Sequence, residues 1–443
     1  MAPVFGRLSL LAAVAGGVLG QTTLSNDGTT ATDSMATSAE ATTPTGTYES
    51  FSSQITLGTD LGTTGSIATS MGTDNVTRST ISSSSSDTVT FLTGSAVTTT
   101  TLAGNFSSST TSAVPTVTNT QPCNNYAEFC TRKYSNITNV ACHNSPFITP
   151  NNLAANQQYD VTAQLNDGVR FLQAQIQWPT GGSEPHFCHT SCDILDAGPI
   201  TDWLGQVKNW VAAHPYDVVT ILLGNGNYSV PSLYVPYIEQ TGILRYIYTP
   251  SVAPMTLDDW PTLSEMVLRG QRVVMFMDYM ANQTEYPWLL DEFSQLWETP
   301  FDPTNQSFPC TVQRPPNLAE KDAKSRLYMI NHNLNVELSI LGTDMLVPAR
   351  TELNVTNNVT GTGSLGLSAN NCRSDWGRPP NFLNVDYYNT GGFPGSVFEV
   401  AAQMNNVTYN RQCCGQATSG AERLLSSGFI YSLAMMAMFW AFL

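Results

Sequence analysis

ITDWLGQVKNWVAAHPYDVVTILLGN, Ile200 to Asn225, holds a helix, a turn, a strand and a polar terminus in one run. Ile200, Trp203, Leu204, Val207, Trp210 and Val211 recur at the three- and four-residue spacing of a helix with one buried stripe. Asp202 lies in its first turn and His214-Pro215 ends it. The apolar run that follows, Val218–Leu223, reads as a short strand, with Asn225 just beyond it. The same order recurs along the chain. Strand-like runs at Ile137–Cys142, Val169–Trp178, Arg272–Met277, Arg326–Ile330 and Phe382–Val385 alternate with helical patterns, among them 260–270 and 395–404. Strands followed by helices imply βα units and a parallel sheet.

The residues able to do chemistry sit in one repeated place, just past a strand run: His143, Asn225, Asp278, Asn331-His332 and Asp386. In a (β/α)8 barrel the active site is assembled at the C-terminal ends of the strands. A doubly wound sheet would usually show a Gly-rich phosphate turn, and none is present. The expected fold class is therefore α/β, a (β/α)8 TIM-like barrel preceded by a disordered Ser/Thr-rich segment.

The flanks place this barrel outside the cell. Residues 1–20, with Arg7 before an apolar run, read as a secretory signal peptide. Residues 21–120 are about half Ser and Thr, with Arg78 the only basic residue, and read as an unfolded, mucin-like stalk. The cysteine-bearing, aromatic-rich part, 121–417, is the expected barrel. Residues 418–443 combine small residues at Ser419-Gly420-Ala421, a polar spacer and an uncharged apolar tail. That is the signal for a glycosylphosphatidylinositol (GPI) anchor, attached at Ser419. The Asn-x-Ser/Thr sequons at Asn75, Asn105, Asn136, Asn227, Asn282, Asn305, Asn354, Asn358 and Asn406 fit a glycosylated surface protein. A net charge of −16 repels nucleic-acid backbones and excludes them as partners. The expected state is a secreted monomer, tethered at the plasma membrane or in the cell wall.

HFCHTSC, His186 to Cys192, admits a zinc half-site, a small disulfide loop, or a cysteine-braced mount for one histidine. Secretion favours disulfides over zinc thiolates. Cys188 is expected to pair with Cys192 or with a more distant cysteine such as Cys142, and with 9 cysteines one thiol is left over. His143 and His189 facing each other across a barrel mouth would make a general base and a general acid, because each can hold either protonation state near neutrality. A carboxylate such as Asp386 behind one of them would fix its tautomer. His214 reads as a helix cap and His186 as incidental.

ACHNSPF (141–147), LNDGVRFLQAQIQW (165–178), HPYDVVTILLGN (214–225), QRVVMFMDY (271–279) and PNFLNVDYY (380–388) resemble the X-region of phosphatidylinositol-specific phospholipase C. They resemble more closely the secreted fungal phosphodiesterases of the same superfamily, as do CHTSC, NHNLN and the stretch FSQLWETPFDP…FPCTV. The resemblance covers roughly 121–415. It implies a phosphoric diester hydrolase acting on a phosphoinositol-type lipid or glycolipid head group. His143 would deprotonate the inositol 2-hydroxyl, His189 would protonate the leaving glycerol oxygen, and Asp386 would pair with His143. Asn144, Gln173, Gln175, Asn225, Asp278 and His332 are the expected substrate-binding residues. The sequence departs from the pattern at one place. Calcium-dependent relatives carry acidic residues where Gln173 and Gln175 stand, and calcium-independent bacterial ones an arginine at the Gln175 position. Strand alternation puts Phe171, Gln173, Gln175 and Gln177 on one face. Two neutral amides cannot replace two carboxylates as calcium ligands, so no cofactor is expected, with calcium as the alternative. A barrel that binds a head group or glycan without turnover, or a structural wall glycoprotein, is the alternative.

Overall fold

The computed structural model describes Tyr48 and residues 51–57, 121–340, 343–392 and 395–415. The signal peptide, most of the Ser/Thr-rich stretch, Asn75, Asn105 and the anchor signal with Ser419 lie outside the described residues. Among the described residues no helix is long and apolar enough to cross a membrane.

Eight strands form the barrel sheet: β1 Asn139–Cys142, β2 Phe171–Gln177, β3 Val219–Asn225, β4 Val273–Met277, β5 Leu289–Asp291, β6 Leu296–Glu298, β7 Leu327–Asn331 and β8 Phe382–Val385. Their order is β6-β7-β8-β1-β2-β3-β4-β5, and every neighbouring pair is parallel. The ladder joins first strand to last and stays open between β5 and β6, which are linked only by the four-residue helix Glu292–Gln295. The sequence reading found neither β5 nor β6. Each has three residues, too few to show a period, and no full crossover helix separates them.

Alternation along the strands builds two cores. Ala141, Phe171, Leu222, Phe276, Met329 and Phe382 point into the barrel, while Val140, Leu172, Ile221, Met275 and Ile330 pack outward. Against that outer surface lie Trp203, Leu204, Val207 and Val211 of the helix Ile200–Ala213, on the stripe that the sequence predicts. Thr262 and Glu265 cap the helix Leu263–Arg269 reciprocally, and Gly270 ends it at φ 72°. The third expected helix is Val397–Met404.

Helices return antiparallel to the strands, so their C-termini lie at the N-terminal face of the barrel. The described chain ends on that face. The Gly415 amide donates to Asp167 at 2.8 Å, and Asp167 closes the helix that leads into β2.

Disulfides join Cys123 to Cys130, Cys188 to Cys192, Cys310 to Cys372, and the adjacent Cys413 and Cys414. Cys142 is the free thiol and is buried.

Within the stretch expected to stay unfolded, Tyr48 and residues 51–57 pack on the barrel. Ile55–Thr56 pairs antiparallel with Val252–Ala253, and Leu57 is buried. The Tyr48 ring lies 5.0 Å from Phe293 in the helix bridging the open seam. YESFSSQITL (48–57) is an apolar island that average composition conceals. Leu57→Ala should weaken this docking by about 2 kcal/mol. Hydrogen exchange at the Leu57 amide, which donates to Ser251 at 2.8 Å, should then quicken by roughly thirtyfold; an unchanged rate contradicts the docking.

Candidate active site

The β1–β8 pairing places Cys142 opposite Val385, so the next residues, His143 and Asp386, emerge side by side at the C-terminal end of the barrel. His143 Nδ1 lies 2.8 Å from Asp386 Oδ1. Asn156 Nδ2 donates to the same carboxylate oxygen at 2.9 Å. Gln157 donates to the carbonyls of both His143 and Val385, at 2.8 and 3.0 Å, and so pins the two strand ends together. Asp386 can only accept there, so Nδ1 carries the proton and the Nε2 lone pair is left available. Asn144 Nδ2 contacts that atom at 3.1 Å, from a turn with φ 49° that asparagine tolerates.

His189 sits in the hairpin His186–His189/Leu195–Pro199, which extends from β2. The Cys188–Cys192 bridge encloses it. Gln177, at the end of β2, holds the hairpin by donating to the carbonyls of Cys188 and Thr190. The His189 ring packs 5.2 Å from Phe147. Both histidines are buried, His143 3% and His189 7% exposed.

Their electrostatics diverge. Burial lowers the His143 pKa, but the Asp386 carboxylate and its hydrogen bond outweigh it, leaving a net rise above the ordinary histidine value. Burial, aided by positive charge on His143, drops His189 to about 3, so His189 is neutral at neutral pH.

A polar belt crosses the barrel beside this pair. Asn384 Nδ2 donates to Gln173 Oε1 and to Asn331 Oδ1, each at 3.0 Å. Asn331 donates to Glu298 at 3.1 Å. Arg314 closes the belt, reaching Glu298 at 3.0 Å, the Tyr279 hydroxyl at 3.0 Å and Asp278 at 3.5 Å. Arg314 stays charged because surrounding carboxylates, Glu298 foremost, outweigh the cost of burying it. Burial and the Glu298 charge raise the Glu292 carboxyl well above its ordinary range. Burial likewise raises Asp302, whose charge acts on His143. Asn144 Oδ1, His189 Nδ1, Asn384 Oδ1, Glu298 Oε1 and Asp386 Oδ2 are buried with no partner among the described residues. This concentration of unsatisfied polar atoms beside the histidines suits a polar, hydroxylated ligand.

The structure thus brings His143, Asp386, His189, Asn144 and Gln173 to one end of the barrel, with Gln175 half-buried further up β2. Asp278 joins through Arg314. Asn225 and His332 fall on the outward parity instead. Asn225 ties down loops through Ser229 and the Tyr279 carbonyl. His332 stacks 3.7 Å from Phe308 and bonds to the Gly363 carbonyl. Their placement as substrate-binding residues is corrected by the pleat, which turns successive side chains to opposite faces. His214 caps its helix at the Trp210 carbonyl, and His186 pairs with Asp196 at the surface. Sequence reasoning missed Asn156, Gln157, Asp302 and Arg314. The last two lie in or just beyond the FSQLWETPFDP…FPCTV stretch, the one signal that could have drawn attention to them.

The donors beside His143 do not fit calcium. Asn144, Gln173 and Gln175 are neutral, Gln173 Oε1 is engaged by Asn384, and the Asp386 carboxylate has its Oδ1 held by His143 and Asn156 and only Oδ2 open. Among the described residues, the acidic and sulfur atoms that converge closely enough for a metal are those of Asp167, Cys413 and Cys414. They lie on the opposite face, and the two sulfurs are bonded to each other.

The PI-PLC X family model (PI-PLC X 1) matches residues 129–405. A secreted protein of Arthroderma benhamiae, described as uncharacterized, is 54% identical over 312 residues, 70% of each chain. PI-PLC X domain-containing protein 1 of the same fungus is 38% identical over 282 residues, 63% of this chain and 89% of the relative. Among solved structures, the phosphatidylinositol-specific phospholipase C from Listeria monocytogenes aligns over 61% of this chain and 94% of its own, with 11% identity and a TM-score of 0.43.

His189, depressed in the fold, makes folding more favourable above the ordinary histidine pKa of about 6.5 than in acid. That contribution is lost as pH falls from there toward about 3. His189→Phe should flatten this part of the profile of unfolding free energy against pH. An acid slope identical to the wild type contradicts the assignment.

Proposed function

The chain belongs to the PI-PLC X domain family, and on that premise we propose that it hydrolyses the phosphodiester of a phosphoinositol-type lipid or glycolipid, with His143 as the base. The observation that carries this reading is the His143–Asp386 contact, which leaves Nε2 unprotonated where a head-group hydroxyl can displace the Asn144 amide. Nε2 takes the hydroxyl proton and the hydroxyl oxygen attacks phosphorus. The phosphorus–oxygen bond to the glycerol breaks, and a proton from His189 reaches that oxygen. The cyclic phosphate left behind is opened by water, which gives its proton to His189 while His143 returns one to the hydroxyl oxygen. In the free protein His189 is neutral, but an anionic phosphodiester beside it favours the charged form. The acid is therefore loaded by substrate. Calcium enters no step.

Gln173 and Gln175 favour a second reading, in which a head group is bound and not turned over. Neither supplies charge for the phosphoryl oxygens, and Arg314 is occupied by Glu298 and Asp278. Losing such a positioned electrostatic group costs on the order of 10²–10³ in rate.

We place the protein at the cell surface as a glycosylated, GPI-anchored monomer; its 54%-identical relative is described as secreted. Asn136, Asn227, Asn305, Asn354 and Asn406 are exposed, Asn282 and Asn358 half-buried. With an anchor at Ser419, four residues beyond Gly415, the mouth holding His143 points away from the anchoring bilayer. Its substrate then arrives from solution or from a facing surface.

The full chain, metal-free and incubated with phosphatidylinositol and with a GPI-anchored protein, should release the head group. His143→Ala should cut the rate by roughly 10²–10⁴. Release unchanged in that variant sinks the mechanism, and binding without release by the wild type selects the second reading. Gln175→Arg, with Gly224 leaving space beside it, should raise kcat by about 10² if the missing cation limits the rate. No gain in kcat would show that phosphoryl charge is handled elsewhere.

A further inference from the structure

The face opposite His143 carries a feature that acid–base chemistry does not use. A cleft of about 300 Å³ opens there, between the segments leading into β1 and β8 and the end of the last helix. Arg132, Arg373 and Arg378 line it, and no carboxylate does. In a chain of net charge −16, three arginines gathered without an acid run against the composition. None of the three takes part in an ion pair found among the described residues.

Two of these guanidiniums are held in place by neutral groups. Arg132 donates to the Asn405 carbonyl at 2.8 Å and lies 5.2 Å over Phe129. Arg378 donates to Asn381 Oδ1 at 2.9 Å and to the Arg326 carbonyl, and stacks 4.5 Å over Tyr328. Its Nε is buried without a partner among the described residues. Arg373 is exposed. Helices 365–376 and 397–404 end at this cleft. Their C-termini contribute roughly half a negative charge each, which does not balance three full positive charges. Buried or half-buried charge is normally paired, and planar guanidinium forks match the oxygens of a phosphate.

We propose that this cleft is a binding site for a phosphate ester, separate from the catalytic end of the barrel. Its volume, at the small end of ligand pockets, admits one sugar phosphate or one lipid head group. Asn136 and Asn406, both exposed sequon asparagines, stand among its lining residues, so glycans there would narrow the entrance and favour small ligands. The site is independent of whether the barrel turns substrate over.

The test uses the full chain in a His143→Ala background, to remove turnover, both glycosylated and enzymatically deglycosylated. Calorimetric titration with inorganic phosphate and inositol 1-phosphate probes soluble esters, and co-sedimentation with phosphatidylserine-containing vesicles probes head groups in a bilayer. At least one probe should bind, and Arg373→Glu should weaken that binding roughly ten- to a hundredfold. Arg378→Lys keeps the charge but loses the fork, and should weaken it less. Binding to soluble esters alone identifies a free phosphate ester; binding to vesicles identifies a lipid head group. A binding curve unchanged by Arg373→Glu, or no binding with any probe, overturns the proposal.

Discussion

Pairing of the first barrel strand with the last is the constraint on which the candidate site depends. It joins segments 243 residues apart and delivers His143 and Asp386 to the same level. The His143 amide donates to the Val385 carbonyl at 3.0 Å, and Gln157 bonds to both strand ends. A one-residue slip of either strand in this ladder would turn that strand's own side chain outward, leaving His143 without its carboxylate. The same register reaches the neighbouring belt, because Asn384 lies on the strand of Asp386 with the same parity and pairs in turn with Asn331 on β7.

The second organising feature is how charge is held inside the barrel. Carboxylates outnumber cations there, yet Arg314 is enclosed by Glu298, Asp278 and the rings of Tyr279, Phe293 and Phe301. Removing one partner of such a buried pair leaves the other uncompensated, at a cost of several kcal/mol. Arg314 is thereby bound to a structural task, while the positions nearest the histidines carry amides. Proton transfer and charge stabilisation are unequally provided. Under the proposed reading His143 is a base whose tautomer Asp386 fixes, and the amides that would meet phosphoryl charge, Gln173 and Gln175, are neutral.

Much of this was legible in the sequence. The period of ITDWLGQVKNWVAAH marked its helix and its buried face, and the alternation of FLQAQIQ placed Gln173 and Gln175 in the lumen. Polar residues after strand runs marked one end of the barrel. That rule failed where it ignored parity: Asn225 and His332 also follow strands but point outward. Asn156 and Gln157 were illegible because a polar loop offers no period, and only the fold carries them to the His143–Asp386 contact. The three-residue strands β5 and β6 left no pattern. The docked residues, Tyr48 and 51–57, were hidden by the Ser and Thr around them. Cys188 and Cys192 did pair, as one of the alternatives left open by HFCHTSC, and Cys142 proved to be the odd thiol.

If His143 and Asp386 act as one proton-carrying unit, the two buried histidines must titrate apart. ¹⁵N NMR of histidine-labelled protein, followed against pH and compared with Asp386→Asn, reads both pKa values and the tautomer. The account predicts that His143 titrates above 6.5 with its proton on Nδ1, and falls when Asp386 is neutralised. It predicts that His189 stays neutral until far into acid, near 3. Two histidines titrating together near the ordinary value, indifferent to Asp386→Asn, would contradict it.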